Sequence, residues 1–277
     1  MDLQTVDMVL TLSTILYFLG MTGYLLFLFK QKQGYQKSAF FLTTAAVLSH
    51  FVSLAGYVSA AGHIPVQSLS QNLSMAAFSI GVMFVFTQYR YDLKVLGVFA
   101  SVLISAIMVT VWLVPQAPVE TDPALKGFWF YTHIVMVFAG DAALGLACGA
   151  GILYLLQEKS IKTKTPGFFF KRLPSLDFLD SVGYTCLTTG FALLTIGLVT
   201  GFIYAKSIWG RFWGWDPKEV FSVGAWLTYA ILLHLRFRAG WRGRRSAIMT
   251  IVGFFVIVFT FLGVNLLLGG HHQEFTK

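Results

Sequence analysis

The residues best suited to chemistry in this chain lie in one short segment, Trp209–Glu219, between two long apolar runs. The segment contains three tryptophans, one phenylalanine and four charged side chains. So much flat aromatic surface predicts a platform for a large planar ligand. The alternative is an interfacial aromatic belt, but a belt spreads its aromatic residues over several loops, whereas this chain concentrates them in one.

Two of the six histidines could act together with this segment. Neutral imidazole binds haem iron axially, so a bis-histidine site needs two ligands on separate elements that face each other. His133 lies just inside one end of the fifth apolar run, and His272 lies just beyond the corresponding end of the eighth. We predict that both imidazoles hold one haem whose edge contacts Trp209, Trp213 and Trp215. The alternative is that both histidines are solvated loop residues.

Two other histidines, His234 and His50, lie deep in apolar runs, where polar side chains are costly and usually functional. We predict that they form a second haem site within the membrane, with Arg236 placed to meet a propionate. For His50 the alternative is a hydrogen-bonded packing role between helices. Asp141 shares the run of His133 and either orients a histidine, carries protons or is a protonated packing residue.

The composition requires membrane helices to position these residues. Of the 277 residues, 56% are hydrophobic and 12% are charged, with a mean hydropathy of +0.71. Since about 20 apolar residues span a bilayer, we predict an all-α, polytopic membrane helix bundle of about eight spans. It forms a single domain over residues 1–277, with the tryptophan-rich loop at about 206–220. The predicted spans are Val6–Phe29, Ala39–Ala61, Asn72–Gln88, Val95–Val114, Phe128–Leu156, Ser181–Ala205, Val220–Phe237 and Ala247–Leu268.

The positions of lysine and arginine predict the orientation of the chain. Fifteen of the 20 lie in one set of alternate connections and 5 in the other, and the positive-inside rule assigns the richer set to the cytoplasm. Both termini, the tryptophan-rich loop, His133 and His272 are then predicted on the outer side. The net charge of +8 therefore follows from topology and does not indicate nucleic-acid binding.

The tryptophan-rich segment and its flank resemble a known signature. The spacing Trp209-Gly-x-x-Trp213-x-Trp215-Asp-Pro-Lys-Glu, followed by His234-x-Arg236, resembles the WWD signature of the haem-handling proteins of cytochrome c assembly. The Asp-Pro-Lys-Glu ending and the His-x-Arg pair resemble the CcsA (ResC) family, the membrane half of the System II cytochrome c synthase. The turn Gly-His-x-Pro at 62–65 and the segment Asn-Leu-Leu at 265–267 ending at His272 also resemble that family. The resemblance covers about residues 51–272.

This resemblance implies a role in cytochrome c biogenesis, with haem b as substrate and ligand. Haem would be held within the membrane by His234 and then pass to an outer site where His133 and His272 bind the iron. There its vinyl groups would meet the thiols of an apocytochrome Cys-x-x-Cys-His motif, so the chain would be a cytochrome c synthase (haem lyase) component. The implied partners are a CcsB (ResB)-like membrane protein, apocytochrome c, thiol-reducing proteins and membrane lipid. The implied location is the bacterial cytoplasmic membrane, or the thylakoid membrane of a plastid or cyanobacterium.

Each part of the loop has an expected role. The residues expected to act on the reaction directly are His133, His272, Trp213, Trp215 and Asp216. We expect Arg211 and Lys218 to meet the haem propionates. Asp216 with Glu219 either fixes the loop through Lys218 or caps the next helix, and Pro217 suits the first turn of that helix.

Some positions depart from the family, and two rival functions stay open. Phe221 replaces the usual Trp, Gln71 replaces the usual Glu, and Asp141 stands where an aromatic or small residue is usual. One rival is a haem transporter or delivery protein without ligation activity. The other is a membrane subunit of a respiratory or proton-moving complex, with Asp141 and the histidines as a relay.

Overall fold

The computed structural model describes residues 1–114, 126–163, 167–168 and 170–263. Within these residues the chain is all-helical, and eight of its helices are long and apolar enough to cross a membrane. The predicted all-α membrane fold is therefore confirmed, while His272 lies outside the described residues. The helices are α1 Leu3–Lys30, α2 Gln33–Ala61, α3 Leu69–Tyr91, α4 Leu96–Leu113, α5 Phe128–Lys162, α6 Leu176–Trp209, α7 Pro217–Arg238 and α8 Arg244–Val258, which continues as a π-helix over Phe259–Gly263.

Several helices extend beyond the predicted spans. Helix α6 begins at Leu176 and continues to Trp209, so the tryptophan-rich loop starts at Gly210 and not near residue 206. Hydropathy detects only the apolar part of a helix, whereas polar ends continue it as long as caps and side-chain pairs support them. At the start of α6, the Ser175 hydroxyl accepts a hydrogen bond from the Phe178 N–H at 3.3 Å.

The chain divides into two compact units, of which unit 1 contains α1–α4 and unit 2 contains α5–α8. In unit 1, glycines allow α1 to approach α2 closely. A Cβ added to Gly20 would lie 2.5 Å from Thr43 Oγ1, and one added to Gly23 would lie 2.8 Å from Ala39 Cβ. Contact between small residues is how membrane helices associate without a hydrophobic driving force.

In unit 2, α5 and α6 pack closely through glycines in the same way. A Cβ added to Gly140 would lie 2.9 Å from Leu194 N, and one added to Gly190 would lie 2.6 Å from Leu144 Cγ. Helix α7 packs on α6 through Trp226, whose indole N–H donates to Thr195 Oγ1 at 2.8 Å. These contacts fix α5, α6 and α7, the three helices that carry the candidate site.

Candidate functional site

The tryptophan-rich loop is held by the ends of the two helices that it joins. Helix α6 ends at Trp209, and its C-cap Gly210 has a φ of 70°, the left-handed conformation that glycine adopts readily. Helix α7 begins with Asp216 as N-cap and Pro217 in the first turn, and Asp216 and Glu219 form a capping box. Asp216 and Glu219 were expected either to fix the loop through Lys218 or to cap the next helix, and in the structure they cap α7.

Glu219 also fixes the residue in front of the cap. Its Oε2 atom accepts hydrogen bonds from the Gly214 N–H at 2.8 Å and the Asp216 N–H at 3.3 Å, so one carboxylate oxygen spans Trp215. Trp215 has φ of 58°, an unfavourable value for a bulky residue, and its side chain is 78% exposed. The cap of α7 thus holds a strained backbone that projects an indole outward.

The aromatic side chains of the loop form a continuous contact with α6. The Trp215 and Trp213 ring centroids are 5.6 Å apart with an interplanar angle of 84°. Trp213 in turn makes an edge contact with Phe202 of α6, with centroids 5.9 Å apart. Lys206 places its ammonium group 4.4 Å from the Phe212 ring centroid, and Trp209 is half-buried at the end of α6. The loop is therefore an ordered aromatic surface.

His133 contacts α6 at Gly197 and Gly201. Its Nδ1 lies 2.7 Å from the Gly197 carbonyl oxygen, which can only accept a hydrogen bond. The proton therefore lies on Nδ1, and in the neutral ring Nε2 carries the lone pair that binds a metal. The ring also packs on Gly201, whose neighbour Phe202 contacts Trp213. Helix α6 thus brings His133 and the tryptophans into one region of unit 2.

The cations expected to meet propionates take two different positions. Arg211 is exposed, and its guanidinium lies over Gly214, where an added Cβ would be 3.1 Å from Arg211 Cζ. Lys218 is half-buried in the first turn of α7 and interacts electrostatically with Asp216 and with Asp141 of α5.

The two histidines predicted to form a site within the membrane, His234 and His50, lie in different units and different environments. His234 is exposed on the surface of α7. His50 is fully buried in unit 1, where its Nε2 lies 2.9 Å from Ser74 Oγ and its Nδ1 lies 3.4 Å from Tyr17 Oη. These contacts match the packing role that was the alternative for His50, and its role as an iron ligand stays a prediction.

Arg236 is engaged by a residue that the sequence reasoning missed. Its guanidinium forms a bidentate ion pair with Asp180 of α6, with N–O distances of 2.9 and 2.6 Å. A propionate would have to compete with this carboxylate, so the propionate role of Arg236 stays a prediction. The only signal in the sequence was an aspartate at the lysine-rich end of an apolar run, and that signal specifies no partner.

Comparison with known proteins identifies the family of the chain. A family model described as cytochrome c assembly protein matches residues 66–272. The cytochrome c biogenesis protein CcsA of Chlorella vulgaris is 31% identical over 300 residues, covering 96% of this chain and 93% of the relative. CcsA of Prochlorococcus marinus strain MIT 9515 is 33% identical over 235 residues, covering 76% of this chain and 75% of the relative.

A solved structure also has this fold. The cytochrome c haem lyase CcmF matches with a TM-score of 0.65 at 16% sequence identity, over 94% of this chain. The match covers 49% of CcmF, so the chain spans about half the length of that protein. Since the family model covers most of the chain and the similarity to CcsA extends over nearly its whole length, the chain belongs to the cytochrome c assembly protein family, in its CcsA branch.

Proposed function

We propose that this chain is the haem-handling component of a cytochrome c synthase, which binds haem b as substrate and presents it for thioether attachment to apocytochrome c. The observation that carries the proposal is a series of contacts along α6. The exposed indole of Trp215 contacts Trp213, and Trp213 contacts Phe202 of α6. The residue before Phe202, Gly201, packs on the His133 ring. A planar ring bound by His133 Nε2 would find aromatic surface beside it. The names of the CcsA relatives and of the haem lyase CcmF support the same reaction.

In this proposal the chain acts mainly by positioning haem. His133 binds the iron through Nε2, and His272 binds from the opposite side until the histidine of the apocytochrome motif displaces it. Trp209, Trp213 and Trp215 hold the ring edge so that the vinyl groups face the incoming thiols. Each thiol adds across one vinyl group: a sulfur–carbon bond forms, the thiol hydrogen goes to the other vinyl carbon, and nothing leaves. Such an addition depends on orientation, which the protein supplies.

The remaining site residues support binding and transfer. Arg211 and Lys218 pair with the propionates, and Asp216 keeps the loop in place as the N-cap of α7. His234 holds haem on its way through the membrane, because its exposed ring is available to a ligand on the surface of unit 2. Whether His50 also binds haem iron stays a separate prediction, because its ring is hydrogen-bonded within unit 1. A CcsB-like membrane protein, thiol-reducing proteins and membrane lipid complete the system, in a bacterial cytoplasmic or a thylakoid membrane.

The test is covalent attachment. The chain is co-expressed with a CcsB-like partner and an apocytochrome, and haem that survives acid–acetone extraction is measured. We expect attached haem with the wild type and its loss with His133→Ala or His272→Ala, while His271→Ala is the matched control that retains it. Bound haem without thioether formation would support the delivery protein, and purified wild type without haem would support the respiratory or proton-moving subunit.

A further inference from the structure

One guanidinium group, that of Arg236, joins three helices of unit 2. It pairs with Asp180 of α6, its Nη1 donates to Ser246 Oγ of α8 at 3.0 Å, and Arg236 itself belongs to the last turn of α7. Its Cζ also lies 4.3 Å from the ring centroid of Tyr184 on α6. Asp180 Oδ1 accepts a further hydrogen bond from the Gly243 N–H at 3.0 Å, in the turn between α7 and α8. We refer to Asp180 and Arg236 as the clamp.

The two side chains of the clamp are largely buried, so loss of either one would leave the other charge without a partner. The side chains of Arg236 and Asp180 are 8% and 19% exposed. Removal of one partner from a shielded ion pair leaves the other charge uncompensated, which destabilises a protein strongly, whereas replacement of both partners by neutral groups is far better tolerated. Another ion pair in unit 2, Arg244 with Glu158, has an arginine that is 60% exposed, so it contributes little.

The clamp lies on the opposite side of α7 from His234. Residues two apart on an α-helix are separated by about 200° around its axis, and accordingly Arg236 points into unit 2 while His234 is exposed. The other end of α7 is held by the capping box of Asp216 and Glu219. The rotation of α7, and with it the direction of the His234 imidazole, is therefore fixed at both ends.

We propose that Asp180 and Arg236 are positioning residues, which orient His234 by anchoring the inner end of α7. This inference rests on the proposed function, because it assigns to His234 a haem to bind. It gives Arg236 a different role from the one expected of it, since its guanidinium serves Asp180 and not a propionate. It also adds Asp180, which carries no assigned role, to the residues needed for haem transfer.

The first test is a double-mutant cycle on thermal stability, which needs no bound haem. Asp180→Asn and Arg236→Gln are each expected to lower the melting temperature of the purified protein by about 5 °C or more. The double variant is expected to recover part of that loss, because no uncompensated charge remains. Arg244→Gln is the matched control and should leave the melting temperature nearly unchanged. Additive losses in the double variant would overturn the clamp.

The second test is spectroscopic and separates positioning from simple stability. In a His133→Ala background, the haem absorbance that remains reports the His234 site, and Asp180→Asn should weaken haem retention about tenfold. Adding His234→Ala should abolish the same signal. If Asp180→Asn retains this haem and Arg236→Gln loses it, Arg236 binds a propionate and the proposal is wrong. If stability is coupled while the haem signal does not change, the clamp is only structural and the proposal is likewise wrong.

These outcomes distinguish the two proposals. Wild-type protein that binds no haem would refute the proposed function and the positioning role together, and the stability cycle would then report only the ion pair. If the wild type binds and attaches haem, but Asp180→Asn does not change the haem retained at the His234 site, only the positioning role is refuted.

Discussion

Trp215 combines an unfavourable backbone conformation with an exposed indole. Its φ of 58° costs a residue with a Cβ roughly 1–2 kcal/mol, and the 78% exposure of the side chain means that little packing offsets this cost. What holds the conformation is the Glu219 carboxylate, which binds the N–H groups on both sides of Trp215. Strain kept in this way is expected where a side chain is needed for binding.

We therefore predict that two substitutions of Trp215 differ in their effect on stability but not in their effect on haem. Trp215→Gly should be more stable to unfolding than Trp215→Ala by about 1 kcal/mol, because glycine adopts this φ without strain. Both variants should lose haem relative to the wild type, since neither has the indole. Unfolding of the apoprotein in detergent and the haem content of the purified protein measure the two effects. Equal stability of the two variants would show that the conformation is not strained.

A second prediction concerns the space beside His133. A methyl group on Gly201 would lie 2.7 Å from His133 Nδ1, so Gly201→Ala should displace the ring and weaken its hydrogen bond to the Gly197 carbonyl. We expect less bound haem and a change in its absorption spectrum. Gly224→Ala is the matched control, because a Cβ there meets nothing within 4 Å and alanine favours a helix. A wild-type spectrum in Gly201→Ala would contradict the assignment of His133 as ligand.

At the scale of the elements, the glycines between α5 and α6 determine how closely these two helices approach. A Cβ on Gly190 would lie 2.6 Å from Leu144 Cγ and 3.0 Å from the Gly140 carbonyl oxygen, so it has no room without movement of a helix. A Cβ on Gly183, about two turns earlier in the same helix, would meet Ala150 Cβ at 3.4 Å, an ordinary contact. The same helix therefore offers one glycine that is required and one that is not.

Substitution of these two glycines tests that packing. Gly190→Ala should lower the free energy of unfolding by about 1–3 kcal/mol, because overpacking displaces backbone and side chains. Gly183→Ala should be neutral or slightly stabilising, since alanine favours the helix more than glycine does. Thermal unfolding of both variants in the same detergent measures the difference. A similar loss for both would indicate that the interface does not depend on close approach at Gly190.

The ends of the helices show what hydropathy alone can predict. The eight apolar runs predicted eight helices correctly, but the predicted end of α6 at Ala205 was four residues short of Trp209. The difference matters for the site, because Lys206 and Trp209 are helical and the loop between helices is confined to residues 210–216. A shorter loop restricts the backbone conformations open to Trp213 and Trp215, so the positions of their side chains are more closely defined.

For the whole molecule, the orientation in the membrane is the prediction with the largest consequences. The positive-inside rule places the connection that follows α7, with its arginines, in the cytoplasm and the tryptophan-rich loop outside. A periplasmic reporter, such as alkaline phosphatase, should be active when fused within residues 210–216 and inactive when fused within residues 239–243. The reverse pattern would contradict the predicted orientation and place the loop on the wrong side for an exported apocytochrome. The description as a single membrane domain stays a prediction, since the chain forms two compact units.

The sequence by itself determined the membrane fold, the number of helices and the family. Lipid offers the backbone no hydrogen-bond partner, so a chain with eight long apolar runs must form helices there, and the spacing from Trp209 to Arg236 was specific enough to identify the family. Only the tertiary structure decided which side chains meet. Arg236 finds Asp180 across 56 residues, and His133 finds the Gly197 carbonyl across 64. Such contacts depend on how each helix is rotated and how closely it packs, which hydropathy along the chain does not encode.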